Sequence, residues 1–162
     1  MLPDYDLTEE QARMRKAVRE FTREFIAPGA QERDGREEFP LDLFHEMGRR
    51  GFVGYPIPRE YGGGGGSFLA YCTMVEEMSR EDASAALVMS LNVALVITPV
   101  LIAGSEEQKK RFLPPLCRGE KVGCFCLTEP EAGSDASNLK THAREDGDFY
   151  VLSGEKIFIQ HG

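Results

Sequence analysis

One segment of the chain carries side chains suited to holding a polar ligand, the run FCLTEPEAGSD from Phe125 to Asp135. A short apolar run is expected to deliver Thr128 where a strand ends, and a Glu-Pro turn then leads into a loop that opens at Gly133. The hydroxyls of Thr128 and Ser134 can each donate and accept a hydrogen bond, and small residues nearby leave backbone N–H groups accessible. This pattern predicts a loop that binds a phosphate or the polar edge of a heterocycle. The alternative is an ordinary loop whose hydroxyls bond its own backbone.

Two further patterns look like ligand sites but lack the context that such sites need. The run Gly62–Gly66 fits G-x-G-x-x-G trivially, yet no strand precedes it and no GK[ST] follows, so we predict a flexible turn between helices. Cys124 and Cys126 could be grouped with Cys117, but no C-x-x-C pair or neighbouring histidine completes a zinc site. We therefore predict reduced, buried core cysteines and no metal site.

No arrangement of residues predicts a catalytic side chain. Glu76 and Glu77 are adjacent on a predicted helix and diverge by about 100°, so they do not make a paired acid and base. The G-x-S-x-G motif of serine hydrolases does not occur in the sequence. We therefore assign no catalytic residue.

The composition is that of a folded globular protein with an acidic surface. Of the 162 residues, 41% are hydrophobic and 28% are charged, which suits one full domain, or one domain with part of another. The 27 acidic and 19 basic residues give a formal net charge of −8, which disfavours a broad nucleic-acid interface. The N-terminal sequence has the pattern of neither a signal nor a transit peptide, and the four cysteines do not suggest a disulfide scaffold. We expect a cytoplasmic location in a bacterial-type cell.

Two capping boxes mark helix starts in the N-terminal two thirds of the chain, where apolar residues recur at helical spacing. Thr8 with Gln11 opens a first helix, and Ser105 with Gln108 opens the last helix of this region. The residues expected to end these two helices are Pro28 with Gly29 and Pro114 with Pro115.

Two further helices are predicted between these capping boxes. One begins near Pro40 and ends at Gly51. The side chains that it is expected to bury are Leu41, Phe44 and Met47. The other runs from about Ser67 to Arg80. Its predicted inner side consists of Phe68, Tyr71, Cys72, Val75 and Met78.

The strongly apolar segment Leu87–Ala103 is expected to lie in a helix that starts near Asp82. Because this segment is apolar nearly all round, we predict that other helices surround it at the centre of a bundle. Pro99 is expected to kink the helix or end its regular part. The length of the segment is marginal for a membrane span, so a transmembrane helix is the less favoured alternative.

After Gly119 the pattern changes from helix to strand, with a hairpin signal at Asp146-Gly147. The candidate strands are Val122–Leu127, Lys140–Arg144, Phe149–Leu152 and Lys156–Gln160. The predicted fold class is therefore mainly α. An antiparallel helical bundle over residues 1–120 is followed by a partial antiparallel β-domain over residues 121–162.

The run FCLTEPEAGSD closely resembles the flavin-contacting signature of the acyl-CoA dehydrogenase family, [FY]-x-[LVM]-[TS]-E-P-x-x-G-S-D. Three other stretches resemble motifs of that family, in the same order and at similar spacing. They are Arg59–Gly63 (P-x-x-Y-G-G), Gly104–Pro114 (G-[ST]-x-x-Q-K…[YF]-L-P) and Gly147–Ile159 (D-G…x-G-x-K-x-[WF]-I). The resemblance covers essentially the whole chain.

The resemblance implies an all-α N-terminal domain followed by the start of a middle β-domain. It also implies FAD as cofactor, an acyl-CoA thioester as substrate, and α,β-dehydrogenation in which a carboxylate removes the α-proton and a hydride passes to the flavin. An electron-transfer flavoprotein as electron acceptor and a homo-oligomeric full-length form are implied in the same way.

The family signature also implies a role for individual residues of this sequence. The residues placed along the flavin are Phe125, Cys126, Leu127 and Thr128. The residues placed near its diphosphate are Gly133 and Ser134, and Ser134 is also expected to contact the acyl-CoA substrate. The residues of the stretch that packs on the flavin ring are Phe158, Ile159 and Gln160.

The sequence departs from the family pattern in two respects. Gln160 stands where a short hydroxyl side chain is usual, and Phe158 stands where tryptophan is usual. The catalytic carboxylate of the family usually lies on a C-terminal helical domain that these 162 residues do not include, so we expect a partial, inactive version of the enzyme. The alternatives left open are a non-catalytic helical binding or interaction domain that keeps the fold, and an acyl-CoA oxidase-type relative.

Overall fold

The computed structural model describes residues 7–161. It is mainly α-helical, an antiparallel bundle followed by the start of an antiparallel β-domain, which confirms the predicted fold class. Two compact units divide the chain between Gly123 and Cys124. The α-helices of the described residues are α1 (Glu9–Phe21), α2 (Ala30–Gly35), α3 (Leu41–Arg49), α4 (Phe68–Ser79), α5 (Ala83–Leu91), α6 (Thr98–Ala103) and α7 (Glu106–Cys117).

The predicted capping box opens α1. Thr8 Oγ1 accepts a hydrogen bond from the Gln11 N–H at 3.3 Å, and Gln11 Oε1 accepts one from the Thr8 N–H at 3.0 Å. The helix passes into a π-helical turn over Thr22–Ile26, and the chain then turns at Gly29, whose φ of 84° lies in the left-handed region. The short helix α2 follows at once. Sequence patterns did not predict α2 because none of its residues is buried, so it has no apolar stripe.

The second predicted capping box opens α7, where Ser105 Oγ accepts from the Gln108 N–H at 3.2 Å. The prediction that Pro114 and Pro115 stop this helix is wrong, because α7 continues through both residues to its end at Cys117. The fixed φ of proline is compatible with an α-helix. Near the end of α7, the main cost of each proline is therefore one lost backbone hydrogen bond, because proline has no N–H to donate.

The helices α3 and α4 lie where the sequence predicts them, but part of each buried face differs. In α3, Phe44 and Met47 are buried, whereas Leu41 is exposed and the adjacent Pro40 is buried. In α4, Phe68 and Cys72 are exposed, so the predicted inner side is wrong at these two positions. The buried residues of α4 are Ala70, Tyr71, Thr73, Met74, Glu77 and Met78. The buried face therefore differs from the predicted one. It includes the carboxylate of Glu77, which an apolar pattern assigns to solvent.

The helices α5 and α6 form one continuous helix through a π-helical turn over Asn92–Ile97. This turn interrupts the regular α-helix just before Pro99, and α6 then continues through that proline to Ala103, so a kink caused by Pro99 stays a prediction. The prediction that other helices surround the whole segment is wrong, because Leu87 and Ile102 are exposed on its outer side. The continuous helix over residues 83–103 is long and apolar enough to cross a membrane. The core helix of a soluble protein can have the same length and composition.

The core of the helical unit combines apolar side chains with one buried carboxylate. The largest side chains that are almost wholly buried include Phe21, Ile26, Phe44, Met47, Met74, Met78, Met89 and Ile97. Glu77 of α4 is 3% exposed and accepts hydrogen bonds from two arginines of α1. The Nε atoms of Arg15 and Arg19 lie 2.6 and 2.8 Å from its two oxygens, and the Arg19 guanidinium makes a second bond at 2.9 Å. These bonds fasten α1 to α4.

The second unit contains an antiparallel hairpin of β1 (His142–Asp146) and β2 (Phe149–Ser153), which confirms the predicted hairpin. Gly147, with a φ of 61°, and Asp148 form its two-residue turn. The strands predicted over Val122–Leu127 and Lys156–Gln160 are not strands in the structure. Neither segment joins a ladder, because the backbone bond between the Ile157 N–H and the Thr128 carbonyl continues into no regular pairing.

Candidate functional site

A tight turn lies at the centre of the segment that carries the flavin signature. The Glu129 N–H donates to the Ala132 carbonyl at 3.1 Å, and the Ala132 N–H donates to the Glu129 carbonyl at the same distance. Pro130, whose ring fixes its φ, is the first of the two residues between them. These two bonds form an isolated antiparallel bridge that closes the turn between Thr128 and Gly133.

A second segment lies against the residues that precede this turn. The Lys156 ammonium donates to the Leu127 carbonyl at 2.8 Å and to Glu129 Oε1 at 2.8 Å. The next residue along the chain, Ile157, donates its N–H to the Thr128 carbonyl at 3.0 Å. The structure therefore places two of the residues predicted to lie along the flavin directly beside the start of the second predicted flavin segment.

Glu129 is the polar centre of this arrangement and is 5% exposed. Its carboxylate accepts the Lys140 N–H at 2.6 Å and the Thr141 N–H at 2.9 Å, in addition to the bond from Lys156. The hydrogen bond from the Lys156 ammonium, aided by the bonds from Thr141 and Lys140, lowers the pKa of Glu129 to about 2. The carboxylate is therefore ionised at neutral pH and joins the turn, the start of β1 and the segment that follows β2.

Sequence reasoning missed the role of this carboxylate. From the sequence, Glu129 is part of a turn, and Lys156 is the start of a candidate strand and a position in a family motif. A signal was nevertheless available, since both charged residues stand within motifs that resemble those of the family and carry opposite charges. Spacing alone could not pair them, because 27 positions separate the two residues.

The nine residues predicted to contact the flavin all lie in the second unit, and their roles stay predictions. Those that are half-buried are Leu127, Thr128 and Ile159. Those that are exposed are Phe125, Cys126, Gly133, Ser134, Phe158 and Gln160. Phe158 is 88% exposed, and its φ of 56° holds the backbone in the left-handed region, where a bulky residue is strained.

The hydroxyls of Thr128 and Ser134 are available to a ligand. Among the described residues neither makes a hydrogen bond to protein, whereas Ser137 in the same loop donates to Asp135 Oδ1 at 2.5 Å. A Cβ atom placed on Gly133 would meet no described atom within 4 Å, so there is room beside the chain at this point. Uncommitted hydroxyls, open space and an exposed aromatic ring fit the contacts that a flavin dinucleotide needs.

The cysteines before the turn differ from the prediction. Cys117 is buried as expected, but Cys124 and Cys126 are exposed, because their segment joins no sheet that would cover them. Their sulfur atoms lie 3.6 Å apart, and the hydrogen bond with Cys126 raises the pKa of Cys124. No group of three metal-ligating side chains occurs within residues 7–161.

Comparison with protein families assigns both parts of the chain. The family model described as "Acyl-CoA dehydrogenase, N-terminal domain" matches residues 8–120, and that described as "Acyl-CoA dehydrogenase, middle domain" matches residues 124–162. An acyl-CoA dehydrogenase of Bacillus subtilis is 42% identical over 156 residues, which are 96% of this chain and 41% of the relative.

Solved structures show the same relationship. The butyryl-CoA dehydrogenase of Megasphaera elsdenii superposes with a TM-score of 0.90 at 40% identity, over 96% of this chain and 42% of that one. An acyl-CoA dehydrogenase of Bacillus anthracis complexed with FAD gives a TM-score of 0.90 at 34% identity, over 98% of this chain and 28% of that one. The chain thus spans about two fifths of the length of the curated relatives it matches. From its residues, its fold and these comparisons, the chain belongs to the acyl-CoA dehydrogenase family.

Proposed function

We propose that this chain supplies part of the flavin site of an FAD-dependent enzyme that dehydrogenates an acyl-CoA thioester between its α and β carbons. The observation that carries the proposal is the junction at Thr128, where the Leu127 and Thr128 carbonyls accept bonds from Lys156 and Ile157. This junction places the two signature segments side by side. The resemblance of each segment to a flavin-contacting motif, and the FAD-bound relative, support the same assignment.

The residues present fit distinct parts of the cofactor. Phe125 through Thr128 would line the isoalloxazine ring, the stretch Phe158–Gln160 would pack on it, and Gly133 with Ser134 would approach the diphosphate. Ser134 would also contact the acyl-CoA. When bound, FAD supplies the hydride acceptor of the reaction. Gln160 offers an amide in place of a hydroxyl, so any contact that it made to the ring edge would come from a longer, more flexible donor.

The base that removes the α-proton is not assigned to the residues described here. Glu77 and Glu129, the two carboxylates buried among them, are both held in ion pairs, and each has its pKa lowered to about 2. A carboxylate this acidic is a poor general base, since effective bases have a pKa near the working pH. We therefore expect the 162 residues by themselves to turn over no acyl-CoA, and we assign the base to another part of the complete enzyme.

The surroundings of the enzyme are proposed from the family resemblance and the composition. We infer a cytoplasmic protein that passes electrons to an electron-transfer flavoprotein, assembles as a homo-oligomer and binds no nucleic acid. We place the boundary between its helical domain and its β-domain after residue 120. The outer side of the continuous helix over residues 83–103 is apolar at Leu87 and Ile102, and we propose that it faces protein and not lipid.

The flavin assignment is tested with the protein at its natural length. Visible flavin absorption of the purified protein, and FAD released on denaturation, are the expected results. Thr128→Ala and Ser134→Ala should each raise the dissociation constant for FAD about tenfold, within the range of about 1–3 kcal/mol for a lost buried hydrogen bond. Ser137→Ala is the matched control, because that hydroxyl already bonds Asp135.

The possible outcomes separate the candidate functions. Unchanged FAD affinity in both variants would show that the loop is structural and that the site assignment is wrong. A colourless protein to which FAD cannot be restored would favour the non-catalytic helical binding domain. Rapid reoxidation of the substrate-reduced enzyme by oxygen would favour the oxidase-type relative.

A further inference from the structure

Glu129 and Lys156 connect three segments of the second unit through one pair of charges. The carboxylate receives the backbone N–H groups of Lys140 and Thr141 at the start of β1. The ammonium, which follows β2, divides its bonds between the carboxylate and the Leu127 carbonyl. Each group therefore satisfies atoms on a different segment, and the bond between the two groups connects these two sets of contacts.

The burial of this pair distinguishes it from an ordinary surface ion pair. The side chains of Glu129 and Lys156 are 5% and 21% exposed. Glu131, in the same turn as Glu129, and Lys140, just before β1, form an ion pair of the same residue types, but their side chains are 65% or more exposed. Solvent screening leaves an exposed pair with little effect, whereas a buried, multiply bonded pair fixes geometry.

The bonds made by the pair lie immediately beside the predicted flavin contacts. Leu127, whose carbonyl Lys156 binds, precedes Thr128, and the Thr128 carbonyl accepts from Ile157. Phe158 follows directly, with a backbone conformation that persists only where neighbouring contacts determine it. A shift of Lys156 would therefore displace the carbonyl on one segment and the aromatic ring on the other.

We propose that the Glu129–Lys156 ion pair positions the segments 125–128 and 157–160 in one fixed register. A flavin bound between them would then be held in a single orientation. The inference rests on the proposed flavin site. Neither residue touches the reacting atoms in this assignment. Both act through the backbone of the residues that do.

The test replaces Glu129 and Lys156, one at a time, in the protein at its natural length. Lys156→Met and Glu129→Gln should each weaken FAD binding about tenfold or more, the scale of one lost charge-assisted hydrogen bond. The FAD that remains bound should show a displaced visible absorption band and a shifted reduction potential, because the ring is less constrained. Glu131→Gln, which removes the exposed pair, is the matched control and should change none of these quantities.

A double variant separates positioning from folding. Glu129→Gln with Lys156→Met leaves no unpaired buried charge, so it should fold even if a single variant does not. We expect it to melt close to the wild type and still to show the weaker binding and the displaced flavin band. A folded double variant with wild-type FAD affinity, band position and potential would overturn the proposal.

Amide hydrogen exchange makes the proposal independent of the flavin. In the wild type the N–H groups of Lys140, Thr141 and Ile157 should be protected, and in the double variant all three should exchange about tenfold faster or more. If the wild type holds no flavin but this protection is lost in the variant, the proposed function fails while the register role stands. If protection is unchanged, the register role fails whatever the flavin result.

Discussion

Among residues 7–161, each unit of the molecule contains one buried carboxylate, and the two are used differently. Glu77 of the helical unit accepts three bonds from arginine side chains that both lie on α1. Glu129 of the second unit accepts two backbone N–H groups and one lysine. The pKa of each carboxylate is lowered to about 2, for Glu77 chiefly by the Arg19 hydrogen bond and for Glu129 chiefly by that of Lys156.

The difference lies in what else holds each unit together. Around Glu77 the helices share an apolar core of almost wholly buried side chains, so the ion pairs add to packing that already exists. Around Glu129 every residue of β1 and β2 is exposed, so polar bonds hold the segments in place. The same kind of charge pair therefore stabilises a packed interface in one unit and sets chain register in the other.

The largest effect is expected from the apolar core of the helical unit. Ile97→Ala should lower the free energy of unfolding by about 3–4 kcal/mol, because Ile97 is wholly buried and its truncation leaves a cavity. Ile102→Ala, on the same helix but 77% exposed, should change it by less than about 0.5 kcal/mol. Urea unfolding followed by circular dichroism measures both. If the two variants lowered the free energy of unfolding equally, burial would not explain the difference expected between the two sides of this helix.

A somewhat smaller effect is expected from the ion pair of the helical unit. Glu77→Gln should lower the free energy of unfolding by about 2–3 kcal/mol, since it leaves Arg15 and Arg19 without their carboxylate, although both can still reach water. The neighbouring Glu76→Gln should have almost no effect, because Glu76 is exposed. A silent Glu77→Gln variant would contradict the view that these bonds contribute to the α1–α4 packing.

The pH dependence of stability gives the smallest of the three effects. The pKa of Glu77 is lowered in the folded state to about 2 from an ordinary 4.5, so its contribution is complete above about pH 4.5 and is lost as the pH falls towards 2. Arg15, Arg19 and Arg80 are the charged groups that face it. The difference in unfolding free energy between wild type and Glu77→Gln should shrink by about 2 kcal/mol from pH 6 to pH 3. A constant difference would exclude ionised Glu77 as its source.

Local chemistry allowed much of the helical unit, and the hairpin of the second unit, to be predicted from the sequence. Both capping boxes, the helix that ends before Gly51 and the hairpin at Asp146-Gly147 depend on residues three or four positions apart or on a turn dipeptide. Such signals act before any tertiary contact forms. They are therefore visible in a single sequence.

Features that depend on distant partners could not be predicted in the same way. The buried face of α4 was misplaced because Glu77 is buried only through arginines 58 and 62 positions away. The segment Lys156–Gln160 has the composition of a strand, but a strand also needs a neighbour in register, and its neighbour supplies a single backbone bond. The flavin segments could be named from their motifs, whereas the charge pair between them depends on the folded chain.

The hairpin between Glu129 and Lys156 has a consequence for the order in which the second unit folds. Closing a loop of 27 positions costs chain entropy, but β1 and β2 pair locally and bring Thr141 close to Gly154, two residues before Lys156. Hairpins form within microseconds, so the loop left to close is much shorter once this one has formed. We therefore expect the charge pair to be a late contact, absent from the folding transition state. Its loss should accelerate unfolding of the second unit and leave the folding rate almost unchanged.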